Sequence, residues 1–339
     1  MTDATRIVDV HAHLTVREVD ALVAGSPAVV AQFERMATAM GPASFAVTAA
    51  MLPQLQESMT DLDVRLRTMD AAGVDVQLVS PSPMQYHYWA DPGLAREVWT
   101  ATNDAMAAVA GDPRGRFSAI GVAPLQHPDQ AVEALEHAVV EHGLRGVEVS
   151  SFARYGDTVV QLSDPRLDSF WARAAELHAL VFLHPLGCTV ETSRLDAWYL
   201  DNVIGQPLEH AIALSHVIFS GVLDRHPGLR LLAAHGGGYL PTYLGRSDHA
   251  WQVRSDARTC ERPPSDYARE LFYDSLVYTG QGLRHLVEIA GAGQVLLGTD
   301  YPFDMGVTDP VQRLDAAGLD PADRDLVAAG NAARLGLLP

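Results

Sequence analysis

Short apolar runs alternate with longer amphipathic stretches from one end of the chain to the other. The runs that read as β-strands are Ile7–Val10, Val74–Val79, Phe117–Val122, Gly146–Val149, Leu180–Leu183, Leu229–Ala234, Leu271–Tyr273 and Val295–Gly298. Between them lie helical patterns with recognisable starts. Asp61 precedes Val64-Arg65-Leu66, Asp91-Pro92 precedes Ala95–Ala110, Pro128-Asp129 precedes Ala131–Val140, and Asp164-Pro165 precedes Leu167–Ala179. Asp followed by Pro in a first turn marks a helix N-terminus. Eight strand runs, each followed by helix, predict an α/β fold: a (β/α)8 TIM-type barrel rather than an open sheet.

The spacing predicts a single barrel domain over residues 1–339. The segment 14–60 exceeds an ordinary strand-to-helix connection. It is rich in Ala and Met, with a helix expected over Ala28–Met40. It reads as an insertion after strand 1, over the barrel mouth, with packing on the outside as the alternative. Pro310–Leu338 reads as closing helices.

Composition narrows the function. A length of 339 residues suits a barrel, and 48% hydrophobic residues supply a sizeable core. The net charge of −18 argues against nucleic acid and anionic membranes as partners, since both require a basic footprint. A small anionic substrate remains open, because a cleft's local field can oppose the global sign. The chain contains no lysine. Lysine Schiff-base catalysis is thereby excluded, as is the carboxylated-lysine bridge of many two-metal barrel hydrolases. Two cysteines, Cys188 and Cys260, are too few for a disulfide framework or a Cys-rich zinc site. No signal peptide and no apolar run of membrane-spanning length is seen, so cytoplasmic residence is expected.

The chemistry gathers at strand ends, where barrel enzymes place it. His11 and His13 close the first run, and side chains at i and i+2 of a strand point the same way. His184 follows the fifth run, His235 the sixth, Asp274 the seventh and Asp300 the eighth. Three histidines and one carboxylate from such a set suit a zinc site completed by water. The remaining histidines, such as His127, His137, His142, His178, His210, His226 and His285, fall in helices or loops and read as solvated or capping. His216, on an apolar helix, reads as a core histidine.

Four strings carry a resemblance: His11-Ala12-His13, His184-Pro185, Ala234-His235-Gly236-Gly237-Gly238-Tyr239-Leu240-Pro241 continuing to Gly245-Arg246, and Gly298-Thr299-Asp300-Tyr301-Pro302-Phe303. With their order and spacing the chain resembles the amidohydrolase superfamily. Within it, the similarity is to the metal-dependent decarboxylase branch typified by 2-amino-3-carboxymuconate-6-semialdehyde decarboxylase.

The resemblance implies that His11, His13, His184 and Asp300 hold one divalent metal ion, zinc first and manganese as the alternative, with no organic cofactor. A metal lowers the pKa of bound water toward ~7. The resemblance makes His235 the general base or acid, with Asp300 sharing proton transfer. Arg246 would cross to the neighbouring subunit of a homodimer and grip a substrate carboxylate; its competing reading is a surface ion pair. Trp198 would stand in the pocket wall. Tyr86, in the aromatic cluster Tyr86-His87-Tyr88-Trp89, and Phe303 would hold a planar substrate. Asp274 would orient a histidine or water.

The expected function is a non-oxidative decarboxylase of a small aromatic or unsaturated carboxylic acid. The alternative is a hydrolase or hydratase of a lactone, amide or activated double bond. An inert scaffold on a retained barrel would have lost ligands, and none is lost here. One departure bears on substrate. The typified enzyme carries substrate-contacting arginines in its insertion, whereas Gly41–Thr60 contains no cationic residue. A hydroxybenzoate-type acid is therefore easier to accommodate than one bearing a second carboxylate.

Overall fold

In the computed structural model, residues 6–188 and 192–339 are described. Among them eleven strands form: β1 (Val8–Leu14), β2 (Val76–Pro81), β3 (Phe117–Ala119), β4 (Gly121–Val122), β5 (Gly146–Val149), β6 (Phe152–Tyr155), β7 (Thr158–Gln161), β8 (Leu180–Leu183), β9 (Arg230–Ala233), β10 (Phe272–Asp274) and β11 (Val295–Leu296). β6 and β7 make a separate antiparallel hairpin. The others pair in parallel in two runs, β1-β2-β3 and β4-β5-β8-β9-β10-β11.

Backbone bonds join those runs. Ile120, between β3 and β4, donates to Val79, and Arg145 donates to Ala119. On the other side Val10 donates to Leu297 at 2.9 Å, and Ala12 bridges Tyr301 in parallel. With β3 and β4 as one interrupted strand, eight parallel strands close into the expected (β/α)8 barrel.

The barrel interior is filled by inward residues at strand period 2. Val8, Val10, Val76, Leu78, Ile120, Leu180, Phe182, Leu232 and Phe272 form one buried cluster. Ala332, Leu335 and Leu337 from the C-terminal segment belong to it as well. Continued by one more step, the inward phase turns polar: Ser80, Glu148, His184, Asp274 and Asp300 are all buried. A larger apolar cluster lies between the strands and the surrounding helices.

One expectation is corrected in extent and another is extended. The first strand does not stop at Val10 but runs to Leu14, so His11 and His13 lie within it. Its register shifts between Asp9 and Ala12. Such an irregularity re-aims side chains: Val8 and Val10 pack in the core, while His11 and His13 turn toward each other. The helix expected over Ala28–Met40 forms from Pro27 and breaks at Gly41, and a second helical stretch, not expected, carries the segment on to Thr60. Gly41 has φ +73°, and a Cβ there would collide with the carbonyl oxygen of Asp196; glycine lets the chain bend and approach at once. The two stretches lean on loops that follow β2 and β8. Gln32 donates to the Met84 carbonyl, Trp89 donates to Gln32, and the Tyr199 N–H donates to Ser44. No described helix is long and apolar enough to cross a membrane.

Candidate metal centre

Five barrel strands deliver the cluster. His11 and His13 come from β1, and His184 follows β8. His235 follows β9, Asp274 ends β10, and Asp300 lies past β11. His235 and Asp300 both adopt left-handed backbone, with φ of 52° and 61°. Non-glycine residues held there store strain of about 1–3 kcal/mol each and concentrate at functional sites. Asp274 holds the first of them: its Oδ2 accepts from the His235 N–H at 2.9 Å and its Oδ1 from the Gly236 N–H at 2.8 Å.

The rings converge. His11 Nε2 and His13 Nε2 are 3.0 Å apart, and Asp300 Oδ1 lies 3.2 Å from each. His11 donates from Nδ1 to Asp274 at 2.6 Å, which in the neutral ring leaves its Nε2 a lone pair. His13 Nδ1 faces the Pro81 carbonyl at 3.3 Å, an acceptor that asks for the same tautomer. Two lone pairs and a carboxylate oxygen crowded about one point repel one another unless a cation or proton sits among them. His184 Nε2 is buried beside them without a hydrogen-bond partner among the described residues. This donor set fits a divalent ion.

By ligand-atom spacing alone, His11, His184, His235 and Asp300 come within 4.8 Å of one another, and so do His13, Glu148 and His184. The geometry thus brings His235 as close as the four expected ligands.

Electrostatics follow from burial against charge. Burial opposes charging His11, but Asp300 and Asp274 outweigh it and raise its pKa to about 10. Burial takes His13 down to about 4. Burial and the neighbouring imidazoles push His184 well below the usual range. Burial would raise Asp300, yet the surrounding histidines hold it well below the ordinary carboxylate value. A proton on His11 and a metal ion compete for the same nitrogen.

Among the other expected residues, Phe303 does join the cluster, its ring centroid 5.2 Å from that of His13. Tyr86 is placed differently from a substrate wall. It is buried, and its hydroxyl donates to Glu148 at 2.9 Å and lies 2.9 Å from the His184 carbonyl, supporting the site from behind. Trp198 is 84% exposed. Arg246 is exposed on the helix Leu244–Val253, with no ion pair recorded among the described residues.

Three residues escaped the sequence reading. Glu148 is fully buried on β5, 3.9 Å from His13 Nδ1, and burial lifts its pKa to about 8. A charge inside Gly146-Val147-Glu148-Val149 was its available signal. Ser80 contacts His13 Nδ1 at 3.0 Å. His210, expected to be solvated or capping, is fully buried with its Nε2 3.1 Å from His235 Nδ1. Its helical setting hid it, because helix phase does not report what lies across a barrel mouth.

Comparison with known proteins follows the same lines. The amidohydrolase family model matches residues 8–335. The chain is 32% identical over 290 residues to the 2-amino-3-carboxymuconate-6-semialdehyde decarboxylase of Dictyostelium discoideum, covering 84% of this chain and 79% of that one. It is 30% identical over 295 residues to the gamma-resorcylate decarboxylase of Rhodococcus jostii (strain RHA1), covering 83% and 89%. A crystal structure of 2,6-dihydroxybenzoate decarboxylase complexed with 2,6-dihydroxybenzoate matches with a TM-score of 0.82 at 26% identity, over 98% of this chain and 99% of that one. The strand-end histidines, the closed barrel and a family match over nearly its whole length lead to one conclusion: the chain belongs to the amidohydrolase family.

Proposed function

We propose that this protein is a metal-dependent, non-oxidative decarboxylase of a small aromatic carboxylic acid, a carboxy-lyase without an organic cofactor. The observation that carries the reading is the crowding of His11, His13 and Asp300 about one point, with the bare His184 Nε2 beside them. His11, His13, His184 and Asp300 would hold the ion, zinc by its preference for histidine with carboxylate, with manganese as the alternative. When bound, the cation supplies positive charge that anchors the acid's oxygens and stabilises the electrons left behind as CO2 departs.

The chain's own residues do the rest. The carbon that loses CO2 must gain a proton, and Asp300 and His235, 3.5 Å apart, form the proton-handling edge of the site. Phe303 provides an aromatic face beside His13. The relatives named above act on hydroxybenzoate-type acids or on aminocarboxymuconate semialdehyde. The cation-free stretch Gly41–Thr60 favours an acid of the first type. In this reading Arg246, exposed and without an ion pair among the described residues, serves the site of a second copy in a homodimer, its planar guanidinium suited to a carboxylate. Trp198 would gain its wall role from the same assembly.

The test is direct. Metal-loaded enzyme is incubated with 2,6-dihydroxybenzoate and related hydroxybenzoates while CO2 and arene are measured. Equimolar CO2 and the decarboxylated arene support the reading. Products that gain water, with no CO2 from any acid, would move the protein to the hydrolases of its family.

A further inference from the structure

His210 lies on the helix Gln206–Phe219, fully buried, with its ring edge-on to that of His235 at a centroid distance of 5.3 Å. Gly238 makes this approach possible. A Cβ there would stand 2.8 Å from His210 Cβ and 2.2 Å from the Pro207 carbonyl oxygen, so a side chain would push helix and loop apart.

The contact between His210 Nε2 and His235 Nδ1, at 3.1 Å, can be made in two ways. Either His210 donates and His235 Nδ1 accepts, or the reverse, and the choice fixes where His235 carries its proton. Two observations from opposite ends agree. His210 Nδ1 is buried and has no hydrogen-bond partner among the described residues. A neutral His210 protonated there would bury an orphan N–H, the rarer kind of unsatisfied group; protonated at Nε2, it spends its proton on His235. At the far side, His235 Nε2 faces Asp300 Oδ2 at 3.5 Å. A lone pair facing that carboxylate is repelled, whereas an N–H is attracted.

Resting on the decarboxylase reading above, we propose that His210 is a positioning residue that holds His235 in the tautomer protonated at Nε2. His235 then presents a hydrogen-bond donor, not a base, to the site. The ligand group that such a donor recognises is an anionic or phenolic oxygen of the substrate acid, next to Asp300. A hydrolytic role, in which His235 Nε2 strips a proton from attacking water, requires the opposite tautomer.

The test uses zinc-loaded enzyme labelled with 15N-histidine, observed through two-bond proton–nitrogen correlations, with His235 signals identified by their loss in His235→Gln. The expected result is a bare Nδ1 and a protonated Nε2 on His235. His210→Gln, whose amide can donate from a similar position, should keep that pattern; His210→Phe should lose it. With 2,6-dihydroxybenzoate as the probe acid, His210→Phe should lower kcat by about 10–100-fold, the usual range for groups that orient a site residue. KM and metal content should stay close to the parent's, and His210→Gln should recover most of the loss. A His235 protonated at Nδ1, alone or together with Nε2, in the parent enzyme overturns the proposal, whether or not His210→Phe folds. No turnover of any hydroxybenzoate by an enzyme showing the expected tautomer would instead strike the decarboxylase reading and leave the tautomer assignment standing.

Discussion

Asp274 Oδ2 stands 2.6 Å from His11 Nδ1, and both residues are fully buried. The same carboxylate accepts the backbone N–H groups of His235, Gly236 and Leu276. One side chain therefore fixes the tautomer of a proposed metal ligand and pins the left-handed residue beside it. Asp274→Asn keeps the shape but sets an amide N–H against donors. Metal affinity, read by competition with a chelator, is expected to fall by about 10–100-fold. Unchanged affinity would show that His11 needs no such orientation.

The proposed ligands and His235 should separate by experiment. His11→Ala and Asp300→Ala are expected to lose bound metal and turnover together. His235→Ala should retain metal, measured by elemental analysis, while turnover drops by about 10²–10⁴-fold. Stoichiometric metal in His11→Ala would remove it from the ligand set, and metal loss in His235→Ala would bring it in.

Metal binding should depend on pH with a definite sign. Acidic neighbours raise His11 to about 10, so the metal-free site holds a proton at neutral pH that the ion must displace. Affinity then rises with pH, and binding releases about one proton per ion between about pH 6 and 9. Calorimetry in buffers of different ionisation enthalpy measures that number. Zero proton release across the range would mean that His11 is already neutral.

Arg65 offers a stability test behind the site. It is fully buried, donates to Gln77 at 2.7 Å and to the His13 carbonyl, and lies over the Tyr301 ring at 4.8 Å. Arg65→Met fills similar volume but leaves both acceptors unpaired. The expected cost is about 3 kcal/mol, since removing one partner of a buried charged network exposes the full desolvation penalty. Denaturant unfolding showing less than about 1 kcal/mol would contradict this accounting.

The alternation of apolar runs and amphipathic stretches was enough to read the barrel and its strand order, because both faces of parallel strands are buried and helices carry capping signals. Asp61 and Asp91 cap their helices as those signals indicate. The end of the first insertion helix at Met40 is legible because Gly41-Pro42 reads locally as a stop; the second helix beyond it is not. Gly41 bends the chain where it fits closely against Asp196, a contact that spans more than 150 residues.

The site divides in the same way. His11, His13, His184, His235 and Asp300 were legible because each lies in the C-terminal half of a strand or just beyond one, and in a closed barrel that position assigns them to one rim. Glu148, Ser80 and His210 were not, since their partners belong to other strands and helices. Sequence by itself determined which residues can reach the mouth, through period and strand order, which are local properties of the chain. The tertiary structure decided which nitrogen faces which oxygen, because tautomers, orphaned donors and the shift in β1 arise when distant segments meet at hydrogen-bonding distance.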